Sequence, residues 1–284
     1  MPTNAYHFDI GAIHGRIIAD SSDEMTEEQI AAIFPKDSDR ILEVYQAIPG
    51  LPLKDSRNIL LLESAGKRVL VDAGLGVLNP REKGWLLDTL SDEGIAPKSI
   101  DTIIATHFHL DHVGGLLDEN GAAVFPAARL VARRAEYDHW MREEHLATLD
   151  EMRNRILRGI FPAYPNHELV DGDYEVAPGI FSVPLPGHTP GHSGVLVDSE
   201  GALLLHILDA MATPLQINLP DARPRFDILP EVAIATRRAI IERVSTEEMQ
   251  LLAYHFPFPG LGRIHGQDGR YAWAPENPSD RSLA

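Results

Sequence analysis

The chain has 284 residues, of which 44% are hydrophobic, so it is long and apolar enough to bury a large core. It contains no cysteine, which excludes disulfide bonds and leaves nitrogen and oxygen atoms as the metal ligands. Because 42 acidic residues outnumber 25 basic ones, the formal net charge is −17, which counts against binding to the phosphate backbone of nucleic acids.

The N-terminal residues show no export signal. Residues 1–22 lack a basic start followed by an apolar run, which is the pattern of a secretory signal. No uninterrupted apolar stretch approaches the length of a membrane span. We therefore expect a cytoplasmic protein without a membrane partner.

Strand and helix patterns follow one another along the chain, which predicts an α/β layered fold. Strands are expected at residues 5–10, 15–19, 58–63, 67–72, 99–105, 181–184 and 202–209, and in a short segment that begins at 251. Helices are expected at 81–92, over much of 133–157 and at 228–244. The last of these helices carries Arg237, Arg238 and Arg243 toward its C-terminal half, where cations interact favourably with the helix dipole.

The most informative motif is Thr-His-Phe-His-Leu-Asp-His at residues 106–112. Its four polar groups are costly to bury without partners, but they are the nitrogen and oxygen ligands of zinc and related cations. In an extended stretch His107, His109 and Asp111 lie on one side of the chain and His112 on the other. A single metal does not readily take all four from so short a loop, whereas two neighbouring metals can divide them. The alternative is that Asp111 caps the following helix and the histidines lie on the surface.

A second cluster of candidate ligands follows in the C-terminal half. His188 and His192 lie in a loop with two prolines and two glycines, and such a rigid loop suits a metal ligand. Either histidine could be an ordinary loop residue, and for His192 we prefer that interpretation. Asp209 and His255 each end an apolar stretch, where a structural hydrogen bond is the commoner role for one such residue. Taken together in chain order, they extend the series of ligands.

Taken in this order, these residues resemble the ligand pattern of the metallo-β-lactamase superfamily, and the resemblance covers most of the chain. That pattern is a Thr-His-x-His-x-Asp-His loop, a Gly-His loop, a bridging aspartate at one strand end and a last histidine at another. The resemblance implies a four-layer αβ/βα sandwich, with residues 1–284 as one hydrolase domain. It also implies that Asp72, in the Leu-Val-Asp-Ala-Gly stretch, positions the ligand loop without itself binding a metal. The implied metal ligands are His107, His109, Asp111, His112, His188, Asp209 and His255.

Residues 124–140 and 255–260 look closest to the branch that holds the N-acyl-homoserine lactonases and methyl parathion hydrolase. The chain departs from the pattern at two places. Leu208 stands where a glycine usually precedes the bridging aspartate, which puts the local turn geometry in doubt. The lactonases also have a tyrosine shortly after that aspartate, and residues 210–213 read Ala-Met-Ala-Thr.

The resemblance implies two divalent ions, with zinc as the default and manganese, iron or cobalt compatible with the same ligands. One ion would be held by His107, His109 and His188 and the other by Asp111, His112 and His255. Asp209 would bridge the two ions. A water between the ions would be held as hydroxide and would attack a carbonyl or phosphoryl centre. Asp111 and Asp209 are therefore the expected catalytic carboxylates.

The expected substrate is a small neutral organic molecule, namely a lactone or an ester. An aromatic pocket would favour it, although each of the aromatic residues could equally belong to the core: Tyr137, Trp140, Phe161, Tyr164, Phe256 and Phe258. The first alternative is a phosphotriester, as for methyl parathion hydrolase. A phosphodiesterase or nuclease would need a basic groove, and a non-catalytic member would use its metals only to stabilise the fold. We expect no nucleic-acid partner and allow for a homodimer.

Overall fold

The computed structural model describes residues 4–47, 53–76, 83–267 and 270–276. The N-terminal half contains β1 (Ala5–Ile10), β2 (Ile13–Glu24), α1 (Glu27–Ile33), α2 (Ser38–Gln46), β3 (Lys54–Ser64), β4 (Lys67–Val71), α3 (Leu86–Asp92), β5 (Thr102–Ala105), α4 (Leu110–Val113), β6 (Arg129–Arg133), α5 (Arg134–Trp140), α6 (Glu143–Leu146), α7 (Glu151–Ala163) and β7 (His167–Val170). The C-terminal half contains β8 (Tyr174–Ala177), β9 (Ile180–Pro184), β10 (Ser193–Ser199), β11 (Ala202–His206), α8 (Pro230–Thr246), β12 (Gln250–Leu252), β13 (Leu261–Gln267) and β14 (Arg270–Pro275).

The strands form two mixed sheets. The first has the order β1-β2-β3-β4-β5-β6-β7, and its pairs are parallel from β4 onward. The second has the order β14-β13-β12-β11-β10-β9-β8, with a single parallel pair between β11 and β12 among the described strands. Two mixed sheets with flanking helices confirm the predicted αβ/βα sandwich.

The largest buried cluster contains apolar residues from both sheets, including Leu61 of β3 and Leu204 of β11. A second cluster packs α8 on the outer face of the second sheet through residues such as Ile240 and Leu251. A third, smaller cluster joins α1 and α2 to residues 215–222. No helix in the described ranges is long and apolar enough to cross a membrane.

Several predicted boundaries were wrong. The helix expected at 81–92 begins at Leu86, while residues 81 and 82 lie outside the described residues. Its start is fixed by the buried carboxylate of Asp20, which accepts hydrogen bonds from the backbone N–H of Leu86 at 2.9 Å and of Leu75 at 2.8 Å. The expected strand at 99–105 covers Thr102–Ala105, and the helical region at 133–157 is divided among α5, α6 and α7.

Two strand ends differ from the prediction in a way that matters for the site. β11 ends at His206, and Asp209 lies in a short 3₁₀ turn at Leu208–Ala210. β12 ends at Leu252, three residues before His255. Both candidate ligands therefore lie in loops that leave one edge of the second sheet, and these loops can approach the loop after β5.

Candidate metal centre

Four of the predicted ligands converge in a first group. Nε2 of His107 lies 3.1 Å from Nδ1 of His109, and Nε2 of His188 lies 3.0 Å from the same Nδ1 atom. Oδ2 of Asp209 is 3.4 Å from Nε2 of His188 and 3.8 Å from Nε2 of His107. These ligand atoms all lie within 4.8 Å of one another.

A second group lies beside the first. Oδ2 of Asp111 is 4.0 Å from Nε2 of His112 and 3.7 Å from Nε2 of His255. Asp209 touches this group as well, with Oδ1 at 3.1 Å from His112 Nε2 and Oδ2 at 3.1 Å from His255 Nε2. The structure thus brings all seven predicted residues together. Asp111 does not cap α4, because the N-cap residue is His109 and no side chain caps that helix.

The donor atoms fit divalent cations. His112 Nε2 and Asp209 Oδ1 are buried and lie 3.1 Å apart, but neither makes a hydrogen bond of regular geometry among the described residues, although buried polar atoms normally do. The first group also directs three imidazole nitrogens at one small space, where a cation would accept all three lone pairs. A set of histidine nitrogens and carboxylate oxygens, without any thiolate, suits zinc and its neighbours in the first transition series.

Carboxylates outside the two groups orient the histidine rings. His112 Nδ1 lies 2.7 Å from Oδ2 of Asp72, and His255 Nδ1 lies 2.8 Å from Oδ1 of Asp55. Asp72 also accepts hydrogen bonds from the N–H and the hydroxyl of Thr106, at 2.8 and 2.7 Å, so it holds the ligand loop. A carboxylate on one ring nitrogen fixes the tautomer and directs the other nitrogen toward a metal.

Glu136, on α5, joins the two ligand loops and was missed in the sequence. It is fully buried and accepts hydrogen bonds from the N–H of Phe108 at 3.0 Å and from the N–H of Gly191 at 3.0 Å. It also accepts hydrogen bonds from Thr189 Oγ1 at 2.6 Å and from Trp140 Nε1 at 2.7 Å. Gly191 was the available clue, because a β-carbon there would collide with the backbone of Glu136.

His192 belongs to neither ligand group, in agreement with the preferred interpretation, but it has a structural role that the sequence did not indicate. Its side chain is fully buried, Nδ1 donates to the carbonyl of Leu185 at 2.8 Å, and Nε2 accepts the N–H of Asp209 at 3.2 Å. Burial lowers the pKa of His192 to about 3, so the ring is neutral and can accept that bond. His192 therefore fixes the backbone of the residue shared by the two groups.

Leu208 adopts the turn that a glycine usually makes. Its φ is 50°, in the left-handed region, which costs a non-glycine residue about 1–2 kcal/mol. Its side chain is fully buried, and burial of a leucine contributes about 1.5–3 kcal/mol. The gain in burial offsets the strain, so the glycine is not required for this turn.

The two groups differ in their electrostatics. Burial lowers the pKa of His109 to about 3 and that of His107 well below its usual value, so these rings are neutral nitrogen donors. Burial also acts to lower the pKa of His112, but the carboxylates of Asp209 and Asp72 outweigh it and raise that pKa to about 10. Burial would raise the pKa of Asp209, yet His112 and His255 hold it well below its usual range.

This difference predicts opposite effects of pH on the metal-free and metal-loaded protein. The stability that protonated His112 gives the metal-free protein is present below the unfolded pKa of about 6.5 and is lost as pH rises toward about 10. Metal must displace that proton, so zinc affinity should rise over the same range. Thermal unfolding of chelated protein and zinc competition titrations, each at several pH values, measure the two trends. A metal-free protein that became more stable from neutral to alkaline pH would contradict the assignment.

A cavity of about 570 Å³ opens over both groups. Ring centroids of Trp140 and His109 lie 5.7 Å apart, so this aromatic residue borders the ligands. The cavity is lined by Met25, Gln29, Ala32, Ile33, Asp55, Arg57, Phe108, His109, Leu110, Asp111, Trp140, Leu149, Arg153, Leu157, His188, Asp209, Arg225, Phe226 and His255. No tyrosine is among these described lining residues.

Most of the aromatic residues expected in the pocket belong to the core instead. Tyr137 and Phe161 pack against each other with ring centroids 4.7 Å apart. Tyr164 is buried and donates a hydrogen bond to the carbonyl of Leu116 at 2.8 Å. Phe256 is fully buried against Trp273. Of the six aromatic residues singled out in the sequence, only Trp140 lines the cavity. The rest of the wall combines the ligands with aliphatic side chains, two phenylalanines and three arginines, Arg57, Arg153 and Arg225.

Comparison with known proteins agrees with this site. Residues 53–245 match the family model of the metallo-beta-lactamase superfamily. The chain is 30% identical over 209 residues to N-acyl homoserine lactonase AiiA of Bacillus thuringiensis subsp. kurstaki, covering 66% of this chain and 76% of that protein. A probable metallo-hydrolase of Mycobacterium tuberculosis is 30% identical over 183 residues, which cover 54% of this chain and 56% of that protein.

Two solved structures share the fold over nearly the whole chain. AidC, a dizinc quorum-quenching lactonase, has a TM-score of 0.83 at 23% identity and covers 96% of this chain and 98% of its own. The hydrolase AbOPH has a TM-score of 0.83 at 25% identity and covers 98% of this chain and 99% of its own. The family model spans well over half of the sequence, and the predicted resemblance is confirmed. The chain therefore belongs to the metallo-β-lactamase superfamily and is a metal-dependent hydrolase.

Proposed function

We propose that this hydrolase opens a neutral lactone or cleaves a neutral ester at a centre of two divalent ions, with zinc as the default metal. One observation carries the proposal: the carboxylate of Asp209 contacts both ligand groups, at 3.1 Å from His112 and His255 and 3.4 Å from His188. The 30% identity to an N-acyl homoserine lactonase supports the same reaction class. Because the largest buried cluster contains residues of both sheets, we also propose residues 1–284 as one hydrolase domain.

In this proposal the chain holds the two ions through the seven residues of the centre. His107, His109 and His188 would hold the first ion, and Asp111, His112 and His255 the second. Asp209 would be shared between them. When bound, two such ions would activate a water for attack and polarise the carbonyl or phosphoryl oxygen of the substrate. The side chains of Asp72 and Asp55 keep the rings of His112 and His255 oriented throughout.

The cavity supports a small neutral substrate. Its volume of about 570 Å³ lies within the range of roughly 300–1,000 Å³ that is usual for small-molecule sites. Met25 and Ile33 from the α1 region and Leu149 and Leu157 near α7 supply apolar surface beside the ligands. The net charge of −17 supports our proposal that nucleic acids are not substrates.

A phosphotriester is the second candidate substrate. The lactonases of the resembled branch have a tyrosine after the bridging aspartate, and the described lining residues of this cavity include none. A leaving group would then depart without a hydrogen bond from a phenol. This favours substrates with acidic leaving groups, such as aryl esters and aryl phosphotriesters.

The test compares four substrates on one zinc-loaded preparation: an acyl lactone, an aryl acetate, an aryl phosphotriester and a bis-aryl phosphodiester. We expect kcat/KM to be highest for the lactone or the aryl acetate and lowest for the phosphodiester, because aliphatic side chains line part of the cavity and the protein carries a net charge of −17. The same preparation after chelation is the control and should be inactive. The highest value for the phosphotriester would favour the second candidate, and a preference for the phosphodiester would overturn the substrate class.

A further inference from the structure

A buried arginine interrupts the apolar face of α8. That helix buries Ala233, Ile234, Arg237, Ile240, Ile241 and Val244, and the side chain of Arg237 is fully enclosed. A favourable interaction with the helix dipole does not account for a guanidinium that is enclosed in this way. A buried guanidinium stabilises a fold little or not at all compared with an apolar residue of similar size. Its presence here calls for a role beyond packing.

The partners of Arg237 lie next to the first ligand group. Nη1 donates to Oδ2 of Asp227 at 2.9 Å and to the carbonyl of Ala210 at 3.3 Å. Nε donates to the carbonyl of Pro220 at 2.8 Å, and Nη2 to that of Ala222 at 3.2 Å. Ala210 directly follows Asp209 in the chain. One guanidinium thus holds the backbone beside the shared carboxylate.

Asp227 extends the same network to a histidine of that group. Its side chain is fully buried, and Oδ1 lies 3.3 Å from Nδ1 of His188. The next two residues fix the loop of His188, because Ile228 N–H donates to the carbonyl of His188 and Leu229 N–H to that of Gly187, both at 2.9 Å. Asp227 therefore contacts Nδ1 of His188, just as Asp72 contacts Nδ1 of His112 and Asp55 contacts Nδ1 of His255.

We infer that the Asp227–Arg237 ion pair positions two ligands of the first metal group, His188 through its ring and Asp209 through the adjoining backbone. Asp227 directs Nε2 of His188 toward the ligand cluster, and Arg237 keeps Asp227 and the Ala210 carbonyl in place. This inference rests on the two-metal centre of the proposed function. The competing explanation is that the pair only fastens residues 210–227 to α8.

Three variants distinguish an ion pair that positions the metal ligands from one that only attaches residues 210–227 to α8. Asp227→Asn removes the negative charge and weakens the hold on His188, while Arg237→Met leaves the Asp227 carboxylate buried without its cation. The double variant removes both charges, so it should regain stability relative to Arg237→Met but should not regain metal affinity. If the pair only fastened the loop, metal affinity would remain at the parent value in all three.

The measurement is zinc binding to the full-length chain by competition with a chromophoric chelator, together with thermal unfolding of the chelated protein. We expect Asp227→Asn to lower the affinity for one of the two zinc ions by about 10- to 100-fold, as is usual when the hydrogen-bond partner of a metal ligand is lost. The other zinc should bind as in the parent. The visible absorption of the cobalt-loaded variant should change as well, because the coordination of His188 is altered.

A second ion pair, which is more exposed than the first, serves as the control. Arg129 Nη1 lies 2.7 Å from Glu168 Oε2 and Arg129 Nη2 donates to the carbonyl of Val176 at 3.0 Å, away from the ligands. The Arg129→Met and Glu168→Gln variants should change stability only. Parent zinc affinity and an unchanged cobalt spectrum in Asp227→Asn would overturn the inference. A parent protein that binds one zinc would contradict the two-metal function, and the inference would then be decided by whether Asp227→Asn weakens that zinc.

Discussion

Replacing Asp209 by asparagine should lower kcat on the preferred ester or lactone on the order of 10³-fold, the scale seen when one charge-stabilising group is removed from an active site. Asp209 is the carboxylate that both ligand groups share, so the amide would remove a negative charge from both at once. The fold should persist in the zinc-loaded protein, because His192 binds the backbone N–H of residue 209 rather than its side chain.

Metal content must be measured on the same samples, because loss of zinc and loss of turnover have different meanings. Elemental analysis after dialysis should give about two zinc ions in the parent and fewer in Asp209→Asn. The matched control is Asp198→Asn, an exposed position on β10, which should keep parent turnover and metal content. Near-parent turnover in Asp209→Asn with two bound ions would show that another carboxylate serves both groups.

The ligands could be predicted from sequence because their chemistry is concentrated in short motifs. Four of the seven lie within residues 107–112, and the loop of His188 is marked by its prolines and glycines. The remaining two ligands, Asp209 and His255, follow in the order of a known family. Their closeness in space to the earlier ligands therefore did not have to be derived from the sequence. Leu208 is instructive, because this residue stands where the family pattern has glycine and still adopts a left-handed φ of 50°, the region that favours glycine.

The residues that hold the ligands were harder to predict. Glu136 bonds to Phe108 and Gly191, which are 28 and 55 positions away, and no local spacing encodes such contacts. His192 and Asp227 likewise acquire their roles only when distant loops meet. The sequence also does not determine whether an aromatic residue faces a cavity or the core, and hence both placements stayed open for Tyr137 and Phe161 until their contact with each other was seen.

The cavity wall formed by α1 was also missed, although a local signal was present. Thr26 and Gln29 form a capping box, in which Thr26 Oγ1 accepts the N–H of Gln29 and Gln29 Oε1 accepts the N–H of Thr26. That pattern predicts a helix start at residue 27. It does not predict that Gln29 and Ile33 would line the cavity over the metal ligands, because this depends on packing of α1 against residues 215–222.

Replacing Glu136 by alanine should lower the free energy of unfolding by about 3–5 kcal/mol, because buried donors lose their acceptor and each such loss costs about 1–3 kcal/mol. Four donors are affected, those of Phe108, Thr189, Gly191 and Trp140. Urea unfolding of the chelated protein measures this cost without a contribution from bound metal.

The exposed Glu144 on α6 provides the matched control, since Glu144→Ala should change stability by no more than about 0.5 kcal/mol. Equal stabilities of the two variants would contradict the role of Glu136. The same carboxylate joins the loop of His107 and His109 to the loop of His188, so its loss should also weaken zinc binding at the first group. Glu136→Gln should lie between the parent and Glu136→Ala, because it keeps one acceptor oxygen but turns an amide N–H₂ toward donors that need an acceptor.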